Sequence, residues 1–245
     1  MSKQRVASID WDELAELDAL WSVLTKDGGP GDAWDLDEFW STGEAQISDT
    51  INRLSRFGMT LGGTALDFGC GVGRLSRGLA KHFSSTTGVD ISTEMVRQAE
   101  ELNDEVDGLT FQTLGPTGLD EFDEASYDLV HTRLVLQHLH SPREIRATLD
   151  GLARLMKPGG FLVCDLVVSA PPKQRLQLRR RAYETLRSVG LETETLVKRG
   201  IHPMVTTAVP RGEMTKWVEK NGLRFMSADE GPNAKVFYII QKPLH

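Results

Sequence analysis

At 245 residues, the chain is long enough for one α/β domain with a sizeable core, or at most two small domains. Hydrophobic residues make up 40% and charged residues 26%, ordinary globular proportions that exclude wholesale disorder. Lys and Arg number 28 against 35 Asp and Glu, and the net charge of -7 disfavours nucleic acid as a partner, because an acidic chain repels phosphate backbones.

The N-terminus turns acidic by Asp10, lacks a signal-type apolar stretch, and no run approaches the roughly 18 apolar residues of a membrane span. Neither a membrane nor a metal is expected as a partner: no CxxC, H-x-x-x-H or H-E-x-x-H spacing occurs. A cytoplasmic, reducing location follows. Cys70 and Cys164, each in an apolar, strand-like context, are expected as buried free thiols.

In chain order, the first element reads as a helix capped by Asp10 with Glu13 at the capping-box position, and Leu14, Leu17, Trp21 and Leu24 recur at helical spacing. Lys26 to Asp32, rich in glycine, breaks it. A second helix covers about Gly43 to Phe57, with Ile47, Ile51 and Leu54 on one face and Gly58 as the stop. Short strands then alternate with helices: Thr64 to Phe68, Thr86 to Asp90, Leu109 to Thr113, Tyr127 to Thr132 and Phe161 to Val168. The helix before the last of these opens on Ser141-Pro142-Arg143-Glu144, an N-cap, an N1 proline and a capping-box glutamate, and Lys157-Pro158-Gly159-Gly160 ends it. Pro171 to Val209 interrupts the rhythm. Within it Gln174 to Val189 reads as a helix with Leu178, Ala182, Leu186 and Val189 on its apolar stripe, and Arg179, Arg180 and Arg181 read as a solvated face. A helix over Pro210 to Asn221 and strands over Arg224 to Ser227 and Lys235 to Gln241 close the chain. The alternation predicts a doubly wound, mostly parallel sheet.

The informative segment is Leu66-Asp67-Phe68-Gly69-Cys70-Gly71-Val72-Gly73-Arg74, a strand running through glycines into a helix. Glycines permit a sharp turn and close approach of a ligand to the main chain, and a helix N-terminus offers free N–H groups. A dinucleotide site needs G-x-G-x-x-G; here the third glycine comes one position early and Arg74 stands in its place. Asp67 opposes a pyrophosphate and suits a cationic ligand, while Asp90, closing the second strand, suits a ribose diol. The pattern points to a nucleoside ligand without phosphate.

At these residues the chain resembles the class I S-adenosylmethionine-dependent methyltransferases. The resemblance covers about Thr64 to Val168. It includes Gly88-Val89-Asp90-Ile91-Ser92, the Ser92 to Met95 helix start, the segment from Tyr127 to Leu139, and Leu155 to Leu162. It implies a Rossmann-like α/β fold with a seven-stranded, mostly parallel sheet and helices on both faces. A helical cover over residues 1–58, a methyltransferase domain over 59–245 and a helical lid at about 171–209 complete it. It implies S-adenosyl-L-methionine as cofactor, bound by Asp67, Gly69, Cys70, Gly71, Arg74, Asp90, Ile91, Met95, Leu114 and Thr132, with Trp40 and Gly43 of the preceding segment at the methionine end, Trp40 reading equally as packing of the added helices onto the sheet. One departure stands out: the acid that many members carry after the third strand is replaced by Thr113-Leu114-Gly115-Pro116-Thr117, leaving the Leu114 carbonyl or a hydroxyl for the adenine.

For chemistry, His138 is the candidate base, with pocket lining as its other reading. His202 in the lid stands as a substrate contact or a plain loop histidine, His131 as a core residue and His140 as an exposed one. The expected activity is methyl transfer to oxygen or nitrogen of a small molecule. Methylation of a peptide terminus or RNA, and non-catalytic or cofactor-modifying S-adenosylmethionine binding, are the rivals, ahead of a nicotinamide dehydrogenase.

Overall fold

The computed structural model describes residues 3–26, 29–31, 34–115, 117–171 and 176–244. Seven strands, β1 (Thr64–Phe68), β2 (Ser85–Asp90), β3 (Leu109–Thr113), β4 (Tyr127–Thr132), β5 (Met156–Val167), β6 (Arg224–Glu230) and β7 (Lys235–Gln241), form one sheet in the order β3-β2-β1-β4-β5-β7-β6. The first five are parallel, and β7 runs antiparallel to both β5 and β6. The order reverses between β1 and β4, the switch point where open α/β sheets place ligands beyond the carboxyl ends of their strands. The central strands are apolar on both faces because helices cover both. Leu66, Val130, Leu162 and Cys164 face one core; Ala65, Leu129, Phe161 and Val163 face the other.

The helices are α1 (Lys3–Val23), α2 (Leu36–Arg56), α3 (Arg74–Ala80), α4 (Thr93–Leu102), α5 (Pro142–Leu155), α6 (Leu178–Ser188), α7 (Thr193–Val197) and α8 (Arg211–Lys220). Ser92 and Ser141 cap α4 and α5 through hydrogen bonds accepted from the Met95 and Glu144 amides, as the sequence signals anticipate. No helix among the described residues is long and apolar enough to cross a membrane.

Several boundaries differ from the sequence reading, each for a local reason. Asp10 does not start α1, which already runs from Lys3; the true break is at Asp18, whose backbone is extended and whose carboxylate accepts from Trp21 N–H at 2.9 Å, recapping the second half. Glu13 makes no capping box. Its carboxylate takes Arg187 at 2.6 Å and Tyr183 at 3.0 Å, with Thr193 as a further close partner, tying α1 to α6 and α7. Helix α2 begins at Leu36, seven residues before Gly43, because Asp35 caps it through the Glu38 amide. The Lys157 to Gly160 run is already strand: α5 stops at Leu155, and Met156 is extended and pairs with Tyr127. On α6 the expected apolar stripe is not the buried one. Leu178 and Val189 are exposed, whereas Tyr183 and Arg180 are buried. Arg180 is therefore no solvated charge; it donates to the Pro203 carbonyl at 2.8 Å and pairs with Asp10 and Glu184. The reading over Asp27, Gly28, Asp32, Pro116, Gln174 and Arg175 lies outside the described residues.

Candidate cofactor and acceptor site

A cavity of about 890 Å³ opens at the switch point, floored by the β1–α3 loop and roofed by α1. The loop takes its shape from glycine. Gly69, Gly71 and Gly73 have φ of 74°, 53° and 86°, the left-handed region that L side chains avoid. A Cβ on Gly69 would fall 2.3 Å from Val135 Cγ2, and one on Gly71 would fall 2.4 Å from Val23 Cγ2, so side chains here would fill the cradle.

Two carboxylates sit in its wall in different states of satisfaction. Asp67 is spent within the protein: one oxygen accepts from Ser76 Oγ at 2.7 Å and the other meets His131 Nδ1 at 2.9 Å. His131 is thus a core residue, as its strand position suggests, and its Nε2 has no partner. Asp90 accepts from the Gly71 amide at 2.9 Å and the Ser92 amide at 3.0 Å. A carboxylate has about four lone-pair positions, so acceptor capacity remains for a ligand. Burial pushes the Asp90 carboxyl above its usual range.

The structure brings Asp67, Gly69, Cys70, Gly71, Arg74, Asp90, Ile91, Met95, Leu114 and His138 into the wall of this one cavity. Cys70 is a buried free thiol, as is Cys164; burial pushes both thiols up, so neither is a nucleophile at neutral pH. Arg74, brought down to about 10 by burial, donates to Thr42 Oγ1 at 3.2 Å and Gln46 Oε1 at 3.1 Å and so locks α3 to α2. Leu114 donates its amide to the Asp90 carbonyl at 2.8 Å, and Thr117 and Asp120 follow it along the cavity.

Four anticipated residues do not line the cavity: Trp40, Gly43, Thr132 and His202. Trp40 packs with Phe39, Val72 and Met95 behind the loop. Gly43 lets α2 approach α3: a Cβ there would fall 2.3 Å from the Arg74 carbonyl oxygen. Thr132 is fully buried in β4. His202 stands in the segment after α7, where burial pulls its pKa down. The aromatic that does reach the cavity from the N-terminal region is Trp11, edge-on to His138 at 5.5 Å between ring centroids. Arg133, Gln137 and Lys235 also line it; the first two lie within the Tyr127 to Leu139 segment, whereas Lys235 carries no motif signal and reaches the cavity through the pairing of β7 with β5. His140 is half-buried in the wall beside Glu144, not out in solvent.

His138 is held at both ring nitrogens. Nδ1–H donates to the Val205 carbonyl at 2.8 Å, and Nε2, at 3.0 Å, accepts from the Gln137 side-chain amide. Burial lowers its pKa to about 4, so the ring is neutral at physiological pH.

Residues 66–162 match the methyltransferase-domain family. The ubiquinone biosynthesis O-methyltransferase of Methylococcus capsulatus is 30% identical over 66% of this chain and 63% of its own length. The enzyme of that name from Sodalis glossinidius is 29% identical over 90% of this chain and 80% of its own. Magnesium protoporphyrin IX methyltransferase from Synechocystis, with S-adenosylhomocysteine bound, superposes with a TM-score of 0.65 at 19% identity, covering 98% of this chain and 100% of that one. Residues 66–162 form a methyltransferase domain. The cofactor of methyltransferases with this fold is S-adenosyl-L-methionine. The chain spans less than two thirds of the first curated relatives that it matches, between 3% and 63% of their length.

The residues present fit that cofactor. Asp90 keeps acceptor capacity for a ribose diol, Met95, Ile91 and Leu114 offer apolar surface for a base, and the acidic loop end suits a sulfonium.

Proposed function

We propose that this chain transfers a methyl group from S-adenosylmethionine to an oxygen or nitrogen nucleophile of a small molecule by in-line displacement. Bound S-adenosylmethionine supplies the activated methyl group as a sulfonium. The chain's residues then have three tasks: to bind, to align and to exclude water. Asp90 and the loop glycines hold the nucleoside. The roof of α1, bonded across to α4 through Asp12 on Ser92 Oγ at 2.6 Å and the Glu94 amide at 3.1 Å, covers it. Residues 1–58 act as the cover of a domain over 59–245, and the segment at about 171–209, which contributes Met204 to the cavity, acts as its lid.

His138 acts as a neutral wall of the acceptor end. Work as a base would require Gln137 to leave Nε2 first, and a conjugate acid near pKa 4 is a weak proton sink at neutral pH. The observation that carries the reading is the continuity of one cavity from the Asp90 cradle to the His138 end, so that donor and acceptor share one space. The named relatives, an O-methyltransferase of ubiquinone biosynthesis and a methyltransferase of magnesium protoporphyrin IX, support a small acceptor. The test offers S-adenosylmethionine with pools of small phenols, acids and amines, of peptides, and of RNA, and measures S-adenosylhomocysteine release. Turnover confined to a small-molecule pool supports the proposal; turnover only with peptide or RNA, or none with any pool, overturns it.

A further inference from the structure

The acceptor end of the cavity carries a charged group that methyl transfer itself does not need. In the β5–β7 pairing, Asp165 stands opposite Phe237 and Val167 opposite Lys235. Cross-strand partners and residues two apart share a face, so Asp165, Phe237 and Lys235 project together. Arg133 follows the Thr132–Cys164 pair by one residue and reaches the same place: its Nε lies 3.4 Å from Asp165 Oδ2, and its guanidinium lies 4.5 Å from the Phe237 ring centroid. The other Asp165 oxygen is taken by the Leu134 amide at 2.8 Å.

The charges do not balance. Arg133 and Lys235 line the cavity against the single carboxylate of Asp165. Arg133 Nε and Asp165 Oδ2 are buried without a hydrogen bond, so their contact leaves donor capacity unused. Lys235 Nζ has no ion-pair partner among the described residues, and burial pulls its pKa down. The remaining acids of the wall are committed elsewhere or in solvent: Asp67 to Ser76 and His131, Asp90 to the loop amides, Glu144 to the His140 amide, and Asp120 exposed at 3.9 Å from Arg154. A desolvated, uncompensated positive charge is costly unless a ligand neutralises it. The same cavity wall carries Trp11, Leu134, Val135 and Met204, which offer apolar surface.

We propose that Arg133 and Lys235 bind a carboxylate carried by the methyl acceptor, so that the substrate class is a small acid with an apolar body. This rests on the methyl-transfer reading of the same cavity. Two cations against Asp165 leave one positive charge, which one carboxylate cancels; a phosphate dianion would leave a surplus negative charge beside Asp165.

The test measures binding, not turnover. Protein saturated with S-adenosylhomocysteine is titrated with 4-hydroxybenzoate, 4-hydroxybenzamide and 4-hydroxyphenyl phosphate by ligand-observed NMR, and S-adenosylhomocysteine affinity is measured separately by calorimetry. The acid should bind at least about tenfold tighter than the amide and tighter than the phosphate, as expected of a charge-matched site. Lys235→Met and Arg133→Met should each lose that preference while holding S-adenosylhomocysteine within about twofold, and Arg133→Lys should keep most of it. Equal binding of acid and amide, preference for the phosphate, or no binding of the acid overturns the assignment. So does a parallel fall in S-adenosylhomocysteine affinity, which would give the pair to the cofactor's own carboxylate. Failure of the wild-type protein to bind S-adenosylhomocysteine sinks the methyl-transfer reading as well, whereas cofactor binding with rejection of the acid sinks this assignment alone.

Discussion

Replacing Asp90 tests the cradle most sharply, because its carboxylate holds the loop and faces the ligand at once. In the free protein it accepts from the Gly71 and Ser92 amides at 2.9 and 3.0 Å. Hydrogen bonds to a charged group contribute about 1.5–3 kcal/mol each, but burial of the carboxylate offsets part of that gain, as its raised pKa records. Asp90→Ala should therefore cost no more than about 2 kcal/mol of stability and leave a folded protein. Cofactor binding loses the charge-assisted bonds to the ribose, roughly 1–3 kcal/mol, a Kd about 5- to 150-fold weaker. Calorimetric titration with S-adenosylhomocysteine, beside chemical denaturation of the same samples, separates the two effects. The pH dependence has a definite sign. The folded pKa lies above the unfolded one, so the protonated form is the more stabilising, and this contribution is lost as pH rises through the folded value. Asp90→Asn, which cannot ionise, should gain stability relative to the wild type across that rise. Unchanged S-adenosylhomocysteine affinity in a folded Asp90→Ala protein would refute the role given to this carboxylate.

Gly71→Val places a β-branched residue at φ 53° with its Cβ 2.4 Å from Val23, so thermal denaturation should show a loss above about 1–2 kcal/mol and S-adenosylhomocysteine should no longer raise the melting temperature. Gly43→Ala drives a Cβ to 2.3 Å from the Arg74 carbonyl, and the helices must part at a cost of about 1–3 kcal/mol, read by urea denaturation; an unaltered midpoint would contradict the close approach. His138 is depressed to about 4 in the folded state, so stability should fall as pH drops from about 6.5 towards 4, by at most about 3 kcal/mol. In His138→Gln that slope should flatten. His138→Ala should lower turnover more than cofactor affinity and leave the pH–rate profile above pH 6 unmoved; loss of the acid-side limb from that profile would make His138 a base after all.

Elements with strong local signals were legible in the chain. The glycine loop, the Ser92 and Ser141 caps and the apolar central strands declare themselves within a few residues, and four of the five parallel strands stand where the alternation puts them, β5 alone starting five residues early. What the sequence hid depends on partners far along the chain. Asp10 and Glu13 look like a cap and its box, yet tertiary partners on α6 and α7 claim both. The buried face of α6 is chosen by Tyr183 meeting Glu13, and this overrides the apolar stripe of Leu178 and Val189. Of the two readings of Trp40, packing is the one seen in α2, and Gly43, ligand-facing by resemblance, also serves packing there, while Trp11 reaches the cavity from α1 without any motif. Arg133 and Lys235, about a hundred residues apart, meet only because β7 inserts antiparallel beside β5.

Methyl transfer by this chain requires the β1–α3 loop to hold an S-adenosyl nucleoside. Calorimetric titration of the wild-type chain with S-adenosylmethionine, run beside NAD, tests that directly. One saturable S-adenosylmethionine site per chain with no heat from NAD is the predicted result. Silence towards S-adenosylmethionine, or saturable binding of NAD in its place, would contradict it.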